Sequence, residues 1–141
     1  MIILFVHFIA TLFMVGLIWF VQIVHYPLFL VVGKGERRNY CLLHTKKTSI
    51  VVLPPMLIEL ATGIFLWINE PGFLVWILNI IFLVIIWLST FLFQVPEHRR
   101  LIKSGEDQAV RRLVFTNWIR TFFWTARAVL LSLFLVSLLF F

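Results

Sequence analysis

The stretch Asn117-Trp118-Ile119-Arg120-Thr121-Phe122-Phe123-Trp124-Thr125-Ala126-Arg127 places two arginines inside sequence that is otherwise apolar enough to cross a membrane. Two helical turns separate Arg120 from Arg127, so both side chains lie on one stripe with Asn117, Trp124 and Leu131. An arginine keeps its proton, and in lipid it is tolerated only where it faces protein or water and has polar partners. The rest of the chain must therefore supply those partners.

The composition around this stretch is that of a membrane protein. The 141 residues are 62% hydrophobic and 13% charged, with a mean hydropathy of +1.07. These values lie far outside the range of soluble globular domains, and the length has room for one domain, residues 1–141. The sequence predicts an all-α fold, an integral membrane antiparallel four-helix bundle.

Four apolar segments are the candidate spanning helices, at about residues 2–32, 49–68, 73–95 and 106–140. Pro27 and Pro96 mark exits from the first and third segments, because proline removes a backbone donor and clashes with the preceding turn. Asn69-Glu70-Pro71-Gly72 is a tight turn. The apolar run that starts at Ile2 has no basic residues before it and no cleavage motif, so we interpret it as a retained span.

Basic residues concentrate in two segments between the spans. Residues 33–47 hold five and residues 96–112 hold five more, out of twelve in the chain. By the positive-inside rule both segments lie in the cytoplasm, which predicts a multi-pass protein of the cell (inner) membrane with both termini on the non-cytoplasmic side. The same rule explains the formal charge of +6 without a nucleic-acid partner. Cys41 is the single cysteine, which excludes an internal disulfide.

Depth along the helices predicts which polar side chains meet. Counting inward from the cytoplasmic ends at about 1.5 Å per residue, Glu59 and Arg127 reach similar depths near the middle of the membrane, which predicts an ion pair. Arg120 lies shallower, where Gln22, His25, Gln94 and Thr90 are expected to surround it. We predict one shared polar patch in the cytoplasmic half of the bundle, with His7 apart from it as an interfacial or core residue.

The charges in this patch indicate a ligand. Two arginines face one acid within the spans, and a carboxylate, phenolate, phosphate or quinone oxygen would complete the balance. We predict a small anionic or oxygen-rich hydrophobic ligand, quinone-like or aromatic, and an oxidoreductase is one interpretation. His25 and Glu59 are the predicted catalytic residues, with His25 moving protons. The predicted ligand-binding residues are Arg120, Arg127, Asn117, Gln22, Gln94 and Trp124.

Other candidate residues are weaker. His44 and His98 fall in the basic segments, where solvated or lipid-facing positions are expected. No H-x-x-x-H or E-x-x-H spacing occurs on any predicted helix, so no metal site is predicted.

A second interpretation is a non-catalytic small membrane subunit or assembly factor, in which the polar patch only joins the helices and the partner is another copy or another membrane protein. A closed and fully paired patch would favour that interpretation, whereas an open cavity lined by Arg120, His25 and Gln94 would favour a ligand. Transport is a third interpretation, and it would require oligomerisation to build a path.

Two resemblances accompany these predictions. The second half of the chain resembles small four-helix membrane proteins of the anthrone-oxygenase-like group, in Gln94-Val95-Pro96-Glu97-His98-Arg99-Arg100-Leu101, Asn117-Trp118-Ile119-Arg120 and Trp124-Thr125-Ala126-Arg127. This resemblance implies an oxygenase-type role or an aromatic substrate. The first half is similar in layout to HemJ-type protoporphyrinogen oxidases, in His7, Trp19, Tyr26-Pro27-Leu28-Phe29 and Pro54-Pro55-Met56. That similarity implies haem as an alternative to a quinone.

Overall fold

The fold is all-helical, as predicted, and a computed structural model describes residues 1–140, with side chains described through residue 138. Four helices follow one another along the described chain: α1 Ile2–Leu28, α2 Lys34–Asn69, α3 Leu74–Ser104 and α4 Asp107–Phe140. Each is long and apolar enough to cross a membrane. Their outward faces carry large exposed apolar side chains, among them Phe5, Leu57, Val84 and Val136.

Side-chain contacts show that consecutive helices run antiparallel. At one end of the bundle, His7 of α1 bonds to Thr62 of α2 and to Asn79 of α3. At the other end, a later residue of α1, His25, bonds to an earlier residue of α2, His44. We call this second end the basic end, because it carries the basic residues of the α1–α2 and α3–α4 connections.

Three apolar core layers stack along the bundle. The layer at the basic end contains Val21, Tyr26, Phe29, Cys41, Leu101, Ala109, Val110 and Leu113. The middle layer contains Met14, Ile18, Met56, Ile86 and Trp124. The layer at the opposite end contains Leu4, Trp76 and Leu131. Polar side chains interrupt the apolar packing at two levels, which are described below.

Three predicted helix bounds were wrong, each at the basic end. α1 ends at Leu28 and not near residue 32, α2 begins at Lys34 and not near 49, and α3 continues to Ser104 past the expected end at 95. Residues 33–47 were interpreted as a connection because they begin with glycines and hold five basic residues. Residues 34–48 are nevertheless helical. At 36 residues, α2 is about 54 Å long, so its charged first part can lie outside a hydrocarbon layer of about 30 Å.

A wider turn precedes the proline of the first and of the third helix. α3 continues past Pro96 to Ser104, whereas α1 ends at Leu28, one residue after Pro27. The backbone forms a π-helical turn at Val21–His25 and another at Thr90–Gln94. Pro27 and Pro96 each follow two residues after the last residue of that turn. π-turns of this kind are common at functional sites. Here the first turn directly precedes Tyr26, which is buried, and the second lies four residues before His98.

Buried Arg37 joins the two connections at the basic end. Its guanidinium donates hydrogen bonds to the carbonyl oxygens of Leu30, Val32 and Gly105, and it forms an ion pair with Asp107. Arginine has enough donors in a planar fork to satisfy several acceptors at once. A residue of the predicted solvated connection is therefore a buried anchor, with only 3% of its side chain exposed.

Gly105 ends α3 in a conformation that favours glycine. Its φ is +68°, and a Cβ atom added there would lie 3.2 Å from the carbonyl oxygen of Lys34. The left-handed conformation costs other residues roughly 1–2 kcal/mol. We expect Gly105→Ala to lower the free energy of unfolding by about 1–2 kcal/mol, measured by thermal unfolding in detergent. Gly35→Ala is the control, because a Cβ there meets nothing within 4 Å.

Candidate functional site

The first polar level surrounds Glu59, whose side chain is fully buried on α2. Arg127 Nη1 donates to Glu59 Oε1 over 2.7 Å, and Thr11 donates to the same oxygen over 2.8 Å. The indole N–H of Trp124 donates to Glu59 Oε2 over 3.0 Å. The predicted pairing of Glu59 with Arg127 is thus present, and both carboxylate oxygens are satisfied.

His7 and Asn79 complete the shell around Arg127. Arg127 Nε donates to Asn79 Oδ1 over 3.0 Å, and Asn79 Nδ2 donates to His7 Nε2 over 3.0 Å. Because the Thr62 hydroxyl donates to the carbonyl oxygen of Ile58, it accepts a hydrogen bond from His7 Nδ1 over 2.7 Å. His7 therefore carries its proton on Nδ1, and both of its ring nitrogens are paired.

We call the group His7, Thr11, Glu59, Asn79, Trp124 and Arg127 the deep cluster. Glu59 and Arg127 are both 0% exposed, and neither belongs to the lining of the cavity described below. Buried charges with complete hydrogen bonding are the arrangement that interhelical locking requires. The catalytic role predicted for Glu59 and the ligand role predicted for Arg127 stay predictions, and the geometry favours a structural role for both.

The deep cluster bears on the haem alternative through His7. A haem iron would need a ring nitrogen with a free lone pair, and His7 Nε2 already accepts from Asn79 while Nδ1 faces Thr62. His7 in this arrangement does not fit an axial ligand. His7 is a core residue, one of the two predicted alternatives, but it does not stand apart from the polar residues, because it lies in the same layer as Arg127.

The second polar level surrounds Arg120, two helical turns nearer the basic end, or about 10 Å along α4. Arg120 donates to the side-chain oxygen of Asn117 and, over 3.3 Å, to the hydroxyl of Tyr26. Asn117 in turn donates to Gln22 Oε1 over 2.8 Å. No carboxylate in the described part of the chain lies within 4 Å of Arg120. Arg120 is only 7% exposed, so its positive charge is buried without a counter-charge among the described residues.

Arg120 lines a cavity of about 380 Å³ between α2 and α3. α1 and α4 form the rear wall, with Met14 and Ile18 from α1 and Trp124 from α4. The walls are mainly apolar, and the lining includes two arginines, Arg99 and Arg120, but no acid. A cavity of this size falls within the range of small-molecule sites, roughly 300–1,000 Å³, and its charge favours an anion.

The cavity opens sideways, through the outer surface of the bundle. Leu53 of α2 and Phe91 of α3 belong to its lining and are 48% and 58% exposed. Both lie on segments that are apolar enough to face lipid. A hydrophobic molecule can therefore approach the cavity between α2 and α3 without crossing the end of the bundle.

The polar end of the cavity carries a linked tyrosine and histidine. Because Arg120 has only donors, the Tyr26 hydroxyl accepts from it and has its own proton left to donate to His98 Nε2, 3.1 Å away. His98 Nδ1 then faces Cys41 Sγ at 3.6 Å. Tyr26 and His98 both line the cavity. The predicted solvated position of His98 was wrong, since this residue belongs to the site.

His25 contacts a different residue from the one predicted. Its Nε2 lies 2.6 Å from His44 Nδ1, and it makes no hydrogen bond to Arg120. His44 lines the cavity and stacks on His98, with ring centroids 5.3 Å apart, whereas His25 is outside the lining. His44 was also predicted to be solvated, and its place in this aromatic group corrects that prediction. The role of His25 in proton movement stays a prediction.

Gln94 also lines the cavity, and its orientation is fixed by a neighbour. The Thr116 hydroxyl donates to the carbonyl oxygen of Arg112, so it accepts from Gln94 Nε2 over 2.8 Å. Gln94 Oε1 is left buried without a partner, as is the indole N–H of Trp87, another lining residue. Unsatisfied buried polar atoms cost free energy and require an explanation. Here two of them belong to residues of the same cavity.

The structure thus divides the predicted patch into two levels. Arg120, Gln94, Thr90 and Trp124 line the cavity, while Gln22 and Asn117 lie behind Arg120 and hold it in place. The predicted buried polar residues are present, with Glu59 and Arg127 deeper than Arg120 as expected, but they form two levels and not one continuous patch. Trp124 belongs to both levels, because its N–H bonds to Glu59 and its ring lines the cavity.

Sequence reasoning missed Tyr26, His44 and His98. A signal for His44 was present, since Arg37, Cys41, His44 and Thr48 recur at intervals of four, three and four residues. This is the spacing of one helix face. Reading residues 34–48 as a helix would have placed His44 beside Cys41 on the inward side.

Comparisons of the chain with models of protein families, with curated proteins and with solved structures gave no significant match.

Proposed function

We propose that this protein is a multi-pass protein of the cell (inner) membrane that binds a hydrophobic molecule with an anionic or carbonyl oxygen in the cavity beside Arg120. The ligand class is quinone-like or hydroxyaromatic. Four helices of sufficient length and apolarity support membrane insertion. The basic residues at one end support an orientation with that end in the cytoplasm and both termini outside.

The single observation that carries the proposal is the buried, uncompensated charge of Arg120 on the cavity wall. Burying a charge without a partner is costly, and Glu59, the acid within the apolar part of α2, is already used by Arg127. A ligand oxygen would supply the missing counter-charge and accept charge-assisted hydrogen bonds from the guanidinium. The wall around it, with Arg99 and no acid, adds to the attraction.

The distribution of polar and apolar lining residues supports one orientation of the ligand. Arg120, Gln94 and His98 cluster toward the basic end, and Met14, Val52 and Met56 line the opposite part. An amphiphile would therefore place its oxygen beside Arg120 and its ring or chain toward the middle of the bundle. Entry between Leu53 and Phe91 suits a molecule that is dissolved in the membrane.

Arg120→Gln tests the proposal directly. Hydrogen bonds to a charged group contribute about 1.5–3 kcal/mol, so we expect about 10- to 100-fold weaker ligand binding with the helical fold preserved. The measurement is mass spectrometry of molecules extracted from the purified protein. It is paired with thermal stabilisation by three probes: decylubiquinone, lauric acid and 2-naphthol.

Arg111→Gln is the matched control, because Arg111 is an exposed arginine on the same helix. It should retain the ligand as the wild type does. Equal retention by Arg120→Gln would overturn the proposal, and so would a wild-type protein that retains no molecule and responds to none of the three probes. Copurification of a second membrane protein in that last case would favour the subunit or assembly-factor interpretation.

A further inference from the structure

Tyr26 and His98 form a hydrogen-bonded pair in the cavity lining, and the binding proposal makes no use of this hydrogen bond. Tyr26 is 4% exposed, and its hydroxyl lies 3.3 Å from Arg120 Nη2 and 3.1 Å from His98 Nε2. The phenol oxygen thus lies between a fixed cation and an imidazole nitrogen with an available lone pair. Tyrosine and histidine in such contact are groups that move protons.

We propose that this pair ionises the bound ligand, and that the ligand is accordingly a weak oxygen acid, a phenol or hydroquinone-type hydroxyl, and not a carboxylic acid. The inference rests on the proposed function, because it needs a ligand oxygen beside Arg120. A carboxylic acid ionises in water near pH 4, whereas a phenol ionises near pH 10. Only the phenol enters from the membrane neutral and needs a base once it is bound.

The proton transfer is balanced without any further reactant. The ligand O–H bond breaks as its proton passes to the Tyr26 oxygen, while the Tyr26 proton passes to His98 Nε2. The products are a ligand oxyanion paired with Arg120 and an imidazolium at His98. Arg120 stabilises the oxyanion as it forms, in the way that a preorganised donor stabilises developing charge.

The surroundings of His98 decide whether it can hold that proton. α4 presents Arg120 to it, α2 presents His44 and Cys41, and α1 presents Tyr26 and, behind His44, His25. Arg99 on α3 also lines the cavity. A proton on His98 adds a positive charge to a cavity that already holds Arg99 and Arg120, and the ligand oxyanion supplies a negative charge that balances it. Proton acceptance is therefore coupled to the presence of the ligand.

The absorption spectrum of bound 2-naphthol tests the inference, because the naphtholate absorbs at longer wavelength than the neutral form. A nearby positive charge lowers the pKa of an acid by about 1–3 units. For an acid that ionises near pH 10, the ionised fraction at pH 8 then rises from about 1% to between about 10% and 90%. We expect this rise on binding to the full-length protein in detergent.

Two variants identify the groups responsible. Tyr26→Phe and His98→Gln should each still bind 2-naphthol and should each lower its ionised fraction at least several-fold. Tyr40→Phe is the matched control, since Tyr40 is exposed and lies outside the cavity lining. This control should leave the spectrum unchanged. A purely structural role for Tyr26 or His98 would reduce binding and leave the spectrum of the bound fraction as it was.

The possible outcomes separate the two proposals. Bound 2-naphthol that stays neutral in the wild type would overturn the ionising pair and leave the binding site intact. Tighter binding of lauric acid than of 2-naphthol would have the same consequence. An unchanged ionised fraction in a folded Tyr26→Phe or His98→Gln protein would also overturn it. Failure of all probes to bind would remove the binding site and the pair together.

Discussion

Arg127→Leu should lower the free energy of unfolding by about 3–5 kcal/mol, the cost of leaving a buried carboxylate without its partner. Glu59 is fully buried and would keep only the hydrogen bonds from Thr11 and Trp124. Asn79 would lose its donor at the same time. The measurement is equilibrium unfolding in mixed detergent micelles, with circular dichroism as the signal.

The double variant Glu59→Gln/Arg127→Leu should recover more than half of that loss. Glutamine keeps an oxygen that accepts from Trp124 and removes the uncompensated charge, so the two substitutions are not additive. Arg111→Leu, an exposed change on the same helix, should alter stability by less than about 0.5 kcal/mol. A double variant no more stable than Arg127→Leu would show that the ion pair is not what holds α2 to α4.

The sequence predicted the Glu59–Arg127 pair because depth in an antiparallel bundle depends only on rise per residue. Two long side chains at equal depth can meet across the interior of the bundle if both face inward, and a charge in lipid must face inward. The same counting misplaced His7, which it set apart from Arg127. The counting began at predicted helix ends that differ from those in the structure, since α2 and α3 extend past the apolar region. An error in the starting residue shifts the expected depth of every residue along that helix.

The cavity was not predictable in the same way. Its lining comes from all four helices, and its volume depends on which side chains fail to fill the space between α2 and α3. Arg120 and Gln94 were found because a charge and an amide within a span stand out from their neighbours. Tyr26 was overlooked because a tyrosine beside Pro27 is ordinary at a membrane boundary, and the π-turn that directs it inward leaves no clear mark in the sequence.

The two levels of polar residues have different requirements, which explains why one chain contains both. The deep cluster satisfies every charge internally, and so it can hold the bundle together whether or not a ligand is present. Arg120 has no such partner, and the cost of its burial is offset only by Asn117 and Tyr26. Stability thus resides near Arg127, and the proposed ligand would gain its binding free energy near Arg120.

Arg37→Leu is expected to be the other strongly destabilising change, lowering the free energy of unfolding by about 2–4 kcal/mol. Without Arg37, the carbonyl oxygens of Leu30, Val32 and Gly105 would all lose a charged donor. Each carbonyl oxygen that stays buried without a donor costs about 1–3 kcal/mol. Thermal and denaturant unfolding in detergent measure the loss. Arg38→Leu is the matched control, because Arg38 is an exposed neighbour with a single long hydrogen bond to Ser104.

A second comparison separates the carbonyl contacts of Arg37 from its ion pair. Arg37 is buried, but the Asp107 side chain is 46% exposed, so water screens the carboxylate and the ion pair contributes little to stability. Asp107→Asn should therefore unfold close to the wild type, while Arg37→Leu does not. If Asp107→Asn were as unstable as Arg37→Leu, the ion pair would be the source of the effect. If both variants matched Arg38→Leu, the two connections would not depend on this arginine, and the basic end would be held by its apolar layer around Phe29 and Leu101.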